Sequence, residues 1–514
     1  MRSLYAICHK NDGQVELLGQ NVVTFSSDNI SFEILGRIFC DDNKINDCEK
    51  ILQLYKDYGV NVTEHIHGNY IIIFKNHTEN TLTVVHDFVT SPYALYYTED
   101  SENIYISTSI KTIYTYCKAP RSLNEDVVDD FLANRFINSN ETLISGLYKL
   151  CYSQALVVSS GKYLIEHVKY PSIDITEEQA KSIFNEVLVQ SVKRCSIDAD
   201  SLNVPISPEY DSNYILYALR EITSDPINAF SLIDNQNTEL LHSQSYNDIT
   251  VFESIIDSNC LQNLPDIVWR IEGAINDEDL FSQYALATTL SDKGINMFIC
   301  PDCAEQIFNK RFHAKEDRLK RLGIHGINYS DTLHPFETAT LSILKKSGIM
   351  ANSFGIDTSY PFADDRVINI ADAVKELNGF EKEYFKQNCK EHFNKEVYDI
   401  INYEKAYKLN YFSLFTDETQ LKSFFKLVEK SKWHSKTDKN LFTRLYWKLR
   451  CAAIKRLSYK DNDEITEKQL YDELKMNRYQ NLLYLLVFEK LFISGQFDNH
   501  FAESGINVKL KDLF

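Results

Sequence analysis

Two short stretches hold the side chains best suited to chemistry. Val204-Pro-Ile-Ser-Pro-Glu-Tyr-Asp-Ser212 overlaps an apolar run, Leu202 to Ile206, and groups Ser207, Asp211 and Ser212 just past its end. Hydroxyls and a carboxylate at a strand end can bind a charged ligand, although acids there also simply cap helices. Phe298-Ile-Cys-Pro-Asp-Cys-Ala-Glu-Gln-Ile-Phe308 overlaps a second apolar run and supplies Cys300, Asp302, Cys303 and Glu305. Structural zinc needs four ligands, so a lone CxxC is weak support for a metal. A thiol redox pair is a second reading, and two ordinary thiols in a strand-end loop is the plainest.

The elements that must position these groups are legible in outline. In residues 1–168, Asn69 to Lys75, Leu82 to Phe88, Ile104 to Ser107 and Ala155 to Ser159 are short runs rich in β-branched or aromatic residues, with one helix over Asn46 to Tyr58. That pattern predicts an α+β domain built on antiparallel sheets. A break follows at Tyr170-Pro171-Ser172, and Thr176-Glu-Glu-Gln179 has the form of a capping box opening a helix through Lys193. Residues 172–410 then alternate strands (Leu202 to Ile206, Ile227 to Ile233, Ile295 to Cys300) with helices such as Ser212 to Ile222. Strand–helix alternation implies an α/β domain with a doubly wound parallel sheet. Residues 411–514 read as a helical C-terminal extension.

Composition narrows the partners. The chain has 514 residues and a formal charge of -19. That charge argues against nucleic acid or an anionic membrane as the main partner, since both require a strong basic surface. The most basic stretch, Lys448 to Arg456, reads as one solvated helix face. No apolar run reaches the roughly 20 residues of a membrane span. The start is too polar for a secretory signal, which makes the cytoplasm the expected compartment. Eleven scattered cysteines suit reduced thiols better than a disulfide framework. Sixteen glycines leave few loops able to wrap closely around phosphate.

Order and spacing then add a resemblance. Gly36-Arg-Ile-Phe-Cys40, Ile66-His-Gly-Asn-Tyr70, Val85-His-Asp-Phe88 with Tyr96-Tyr97, and Ile106-Ser-Thr-Ser-Ile-Lys111 run in sequence before and through the predicted strands. They resemble the GEIYNY, LNGMFAF, ARDRxGxxPLYY and FASEIK segments of glutamine-hydrolysing asparagine synthetases. The Val204–Ser212 stretch sits where that family carries SGGLDSS, and Phe298–Phe308 where it carries SGDGADELFGGY. Phe354-Gly-Ile-Asp-Thr-Ser-Tyr-Pro-Phe-Ala-Asp-Asp-Arg366 is similar to its GLEVRVPFLDHR segment. The likeness spans residues 30 to 410 and points to the peptide-cyclase and amide-synthetase branch. It implies an Ntn-hydrolase-like first domain and a PP-loop ATP-pyrophosphatase-like second domain.

The resemblance also exposes departures. The family's glutaminase uses a cysteine at position two, where its own freed amine serves as base. Position two here is Arg2, and Cys8 falls inside the expected strand. Cys40 and Arg37 stand where the family places an asparagine and a carboxylate, while Asp87 keeps the aspartate of ARDR. The first domain is therefore expected to be a remnant without glutaminase activity. In the second domain the resemblance implies ATP and Mg2+ as cofactors. Ser207, Asp211 and Ser212 would bind the nucleotide, Asp211 and Glu305 the metal, and Asp302 and Lys405 would be catalytic. Trp269 and Glu272 lie near the family's W-x-L-D-E-P stretch.

The two loop glycines are replaced by Pro208 and Glu209. Proline offers phosphate no N–H. One lost charge-assisted hydrogen bond costs roughly 1.5–3 kcal/mol. A carboxylate about 5 Å from phosphate adds roughly 3 kcal/mol of repulsion at an effective dielectric near 20. Two readings follow. One is an ATP-dependent, amide-bond-forming ligase of peptide or natural-product biosynthesis that works by an acyl-adenylate without glutamine. The other is a catalytically impaired scaffold or regulatory subunit. The implied partners are a peptide or small carboxylate substrate, or a partner biosynthetic protein, with a homodimer left open.

Overall fold

The computed structural model describes residues 3–20, 22–27, 29–40, 43–44, 48–87, 93–134, 136–137, 139–151, 153–170, 172–197, 199–207, 209–234, 248–256, 260–276, 279–308, 345–374, 383–392, 427–428, 432–435 and 480–514. The first domain contains β1 (Tyr5–His9), β2 (Val15–Leu17), β3 (Val23–Ser26), β4 (Ile30–Cys40), β5 (Asn43–Lys44), β6 (His67–Asn76) and β7 (Thr81–His86). It continues with β8 (Tyr96–Glu99), β9 (Asn103–Ser107), β10 (Tyr148–Lys149), β11 (Gln154–Ser159) and β12 (Lys162–His167). Two antiparallel sheets result, ordered β10-β8-β9-β1-β2 and β12-β11-β7-β6-β4-β3, with β5 paired to β4.

Burial on both faces explains why these strands are so apolar. Along β6, Ile71 and Ile73 pack into a core with Ala6, Cys8, Ile104 and Ile106 of the other sheet. The alternate residues Tyr70, Ile72 and Phe74 pack outward with Ile51 and Leu52. Those last two belong to helix α1 (Cys48–Tyr58). On the opposite flank, Tyr5 and Ile7 of β1 meet Ile110, Ile113 and Phe131, which lie on α2 (Ile110–Tyr116) and α3 (Glu125–Asn134). The period-2 alternation of strand side chains thus builds helix, sheet, sheet and helix layers. The sequence expectation of a single helix here falls short by two. The Ile- and Tyr-rich α2 reads locally as strand, yet Ser109 caps it by accepting from Thr112 N.

Helix α4 (Glu177–Ser196) opens the second domain with both halves of the expected capping box, between Thr176 and Gln179. The domain adds β13 (Leu202–Pro205), α5 (Tyr210–Ile222), β14 (Ile227–Asp234), β15 (Ile249–Ile256), α6 (Leu264–Ile271), α7 (Asp279–Asp292), β16 (Met297–Ile299) and α8 (Ala304–Phe308). After them come α9 (Lys345–Ser353), β17 (Asp357–Ser359), α10 (Asp365–Ala373) and α11 (Glu383–His392). Strands β13-β14-β15 form one parallel sheet and β16-β17 another. The two lie edge to edge, with Asn203 Nδ2 of β13 donating to the Met297 carbonyl of β16 at 2.9 Å. The strand order β15-β14-β13-β16-β17 therefore reverses direction between β13 and β16.

Residues 480–514, part of the expected extension, pack into this body. Trp269 of α6 is wholly buried. Its ring meets Phe492, Phe497 and Phe501, and its Nε1 donates to the Glu503 carbonyl at 3.0 Å. Among the described residues, no helix is long and apolar enough to cross a membrane.

Candidate functional site

In an open parallel sheet, ligands bind outside the carboxyl ends of the strands where the strand order reverses. Here that point lies between β13 and β16, so the Ser207–Ser212 and Cys300–Cys303 loops each follow one of the two strands that meet there. Ser207, Asp211 and Ser212 come together as expected. Ser207 Oγ lies 2.7 Å from Ser212 Oγ and accepts from Glu209 N at 3.2 Å. Ser212 N donates to Asp211 Oδ1 at 3.0 Å. Asn213 Nδ2 donates to the carbonyls of Ser207 and Glu209, both at 2.7 Å. Glu209 is the N-cap residue of α5 but makes no side-chain cap. The loop thus satisfies much of its own hydrogen bonding.

On the loop after β16, Cys300 and Cys303 are buried and free. Cys303 holds φ at +84°, a conformation that costs a non-glycine residue roughly 1–3 kcal/mol. Burial raises both thiols well above the usual range, and the Asp302 carboxylate adds to the rise. Thiolate character is what makes a cysteine reactive, so these two are poor nucleophiles as they stand. Burial also pushes the Asp302 carboxyl up, against the pull of Lys346 and hydrogen bonds from Ser347 and Cys300. Asp302 Oδ2 is shut off from solvent without a hydrogen-bond partner. Lys346, which is buried, donates to Asp279 Oδ2 at 2.7 Å. Ser347 Oγ lies 3.0 Å from the Tyr360 hydroxyl. The Glu305 side chain and Lys405 lie outside the described residues. Among the described residues, no cluster of three or more His, Cys, Asp or Glu side chains could hold a metal ion.

The first domain turns its own polar groups toward the second. Ser3 is buried, and its backbone exchanges hydrogen bonds with Gln20 at 3.1 and 2.8 Å. Cys8 sits within β1, as expected, and burial pushes its thiol up to about 12. Glycines at 36 and 68 allow β4 and β6 to close up beside the junction. A Cβ at Gly36 would come within 2.0 Å of the Asn69 carbonyl oxygen, and one at Gly68 within 2.3 Å of that of Arg37. Arg37 crosses the boundary and donates to the carbonyls of Cys195 (3.1 Å) and Ile197, at the carboxyl end of α4, and to Ser359 Oγ (3.4 Å). His67 Nδ1 lies 3.0 Å from both oxygens of Asp365, the first residue of α10. Asn69 Nδ2 donates to Asp87 Oδ2 at 3.3 Å.

Arg37, His67, Asn69 and Asp365 line a cleft between the domains, with Tyr70, Arg194, Tyr360 and Asp364 completing its polar wall. Sequence reading missed the His67–Asp365 pair. Both residues fall in the segments that carry the family likeness, but 298 positions separate them. Glu272, singled out beside Trp269, is committed to Lys111 of the first domain, 3.2 Å away.

A glutamine amidotransferase domain model matches residues 42–170. The first domain is thus glutamine-amidotransferase-like, a broader class than asparagine synthetase alone. Comparison with curated proteins gives no match. Among solved structures, a glutamine phosphoribosylpyrophosphate amidotransferase from B. subtilis, complexed with ADP and GMP, is 11% identical at a TM-score of 0.22. The alignment covers 64% of this chain and 88% of that one. The allosteric regulatory enzyme of purine biosynthesis is 12% identical at a TM-score of 0.19, over 57% of this chain and 64% of that one. Both similarities are too slight to bear on activity.

Proposed function

We propose that this chain is an asparagine-synthetase-like protein that does not hydrolyse glutamine and acts as a scaffold or regulatory subunit for a biosynthetic partner in the cytoplasm. The self-contained Ser207–Ser212 loop carries this reading. Phosphate binding at a strand–loop–helix turn needs free backbone N–H groups. Here Glu209 N is given to Ser207 Oγ and Ser212 N to Asp211. Pro208 has no N–H to give. The loop in this conformation is a poor fit to the pyrophosphate of ATP. Calorimetry with ATP and Mg2+ on the full chain tests the point, and saturable binding at millimolar nucleotide would count against it. A stable complex on pull-down from native cells is the positive expectation.

A second reading, an amide-forming ligase of the PP-loop type, draws support from Asp302. Its unpartnered Oδ2 belongs to the loop after β16, the strand that docks beside β13. On this reading Ser207, Asp211 and Ser212 serve the nucleotide, Asp211 and Glu305 the metal, and Asp302 and Lys405 the reaction with a peptide or small carboxylate. It requires the Ser207 and Ser212 hydroxyls to part. Pyrophosphate release from ATP with candidate carboxylates, lost in Asp211→Ala, is its expected signature.

A further inference from the structure

The interdomain cleft is short of free donors and long on acceptors. The Arg37 guanidinium is committed to two carbonyls and Ser359, and that of Arg194 to Asp364, with Nε at 3.1 Å. An anion entering would find both forks engaged and Asp364 and Asp365 close by. The acceptors have capacity to spare. The two oxygens of Asp365, itself 5% exposed, share one imidazole nitrogen of His67. Asn69 gives its Nδ2 to Asp87 and keeps its side-chain carbonyl. Tyr70 is 1% exposed and its hydroxyl has no hydrogen-bond partner. Burial, with smaller contributions from Tyr170, Asp87 and Asp365, holds that phenol well above its usual range.

A buried hydroxyl left unpaired forfeits free energy unless something else satisfies it. An ammonium group carries three donors and one positive charge. Three residues that carry acceptors, one of them anionic, line this wall. We propose that the cleft binds a primary ammonium group, with Asp365 as its anionic partner and the Tyr70 hydroxyl and Asn69 side-chain carbonyl as further acceptors. The group belongs either to a small amine or to the amino terminus or lysine of a peptide. Such binding needs neither ATP nor a working second site. The cleft nonetheless adjoins that site, because Tyr360 lines it while its hydroxyl meets Ser347, a hydrogen-bond partner of Asp302.

Calorimetric titration of the full chain with n-butylammonium chloride tests the proposal. Saturable binding is expected, and tetramethylammonium, which has the charge but no N–H, should bind at least about tenfold more weakly. Asp365→Asn should weaken n-butylammonium binding by about tenfold and Tyr70→Phe by about threefold. Tyr70→Phe deletes a hydroxyl that holds nothing in the fold, so it should stay folded by circular dichroism even if Asp365→Asn does not. Tetra-alanine with a free amino terminus, compared with its acetylated form, separates the sources. If the free peptide binds more tightly than n-butylammonium, a peptide is the natural ligand, and if not, a small amine is. No saturable signal from either amine up to roughly 100 mM, equal binding of tetramethylammonium, or unchanged binding by folded Tyr70→Phe would overturn the proposal.

Discussion

The ammonium of Lys111 in the first domain lies 3.2 Å from the carboxylate of Glu272 in the second, and their side chains are 2% and 4% exposed. Glu272 also accepts from Ser109 Oγ at 2.9 Å and Lys111 N at 3.1 Å. The ammonium donates to the Trp269 and Glu503 carbonyls and sits 4.8 Å from the Trp269 ring centroid. Burial pulls the lysine pKa down and Glu272 pulls it back. Removing one member of a buried pair strands the other charge. Lys111→Met should therefore cost roughly 3–5 kcal/mol, and adding Glu272→Gln should return a good part of it. Urea unfolding of the single and double variants reads both numbers, and a double variant no better than the single one would refute the coupling.

Asp302 should make stability depend on pH. Burial lifts its folded pKa above the unfolded value, which is about 4. The folded chain then holds the proton longer. This contribution is complete below about pH 4 and is lost as pH rises through the folded value. Asp302→Asn has no proton to lose, so its melting temperature should gain on wild type as pH rises above about 4. A difference that stays flat across that range would mean the carboxyl titrates normally.

Arg37 closes the carboxyl end of α4, where unpaired carbonyls favour a cation. Arg37→Ala should cost roughly 1.5–3 kcal/mol and open the segment between the domains to proteolysis. Lysine lacks the planar fork that reaches two carbonyls at once, so Arg37→Lys should restore only part of the loss. Limited proteolysis and thermal melting on the same samples check this, and wild-type resistance in Arg37→Ala would argue against a clamp.

Asp266 joins three elements. It accepts from Arg270 Nε at 2.9 Å, the Tyr284 hydroxyl at 2.9 Å and Ile506 N at 2.6 Å. Asp266→Ala strands these donors and should destabilise by roughly 2–4 kcal/mol. It should also release residues after 500 first, which hydrogen exchange can follow. Uniform exchange across the chain would contradict that order.

Local signals account for what was legible in advance. The capping box at Thr176 and Gln179 needs only residues three apart, so α4 could be read to within three residues of its end. The run Asn69 to Lys75 was visible because burial on both faces made it apolar throughout. Strands β15 and β17 and helices α2 and α3 are not among the elements expected from the sequence. Each is completed by a neighbour strand or core that covers it.

The Pro208-Glu209 substitution and the family likeness of the first domain could be read from the sequence alone, because identity and order carry them. Whether Ser207, Ser212 and Asn213 would close on their own loop could not, since side-chain direction decides it. The strand order that sets the strand before this loop beside the one before Asp302 depends on β16 docking against β13, about 90 residues away. The His67–Asp365 and Lys111–Glu272 pairs join positions 298 and 161 apart. Only domain docking brings such groups within hydrogen-bond reach, and only the burial that docking creates gives their charges weight.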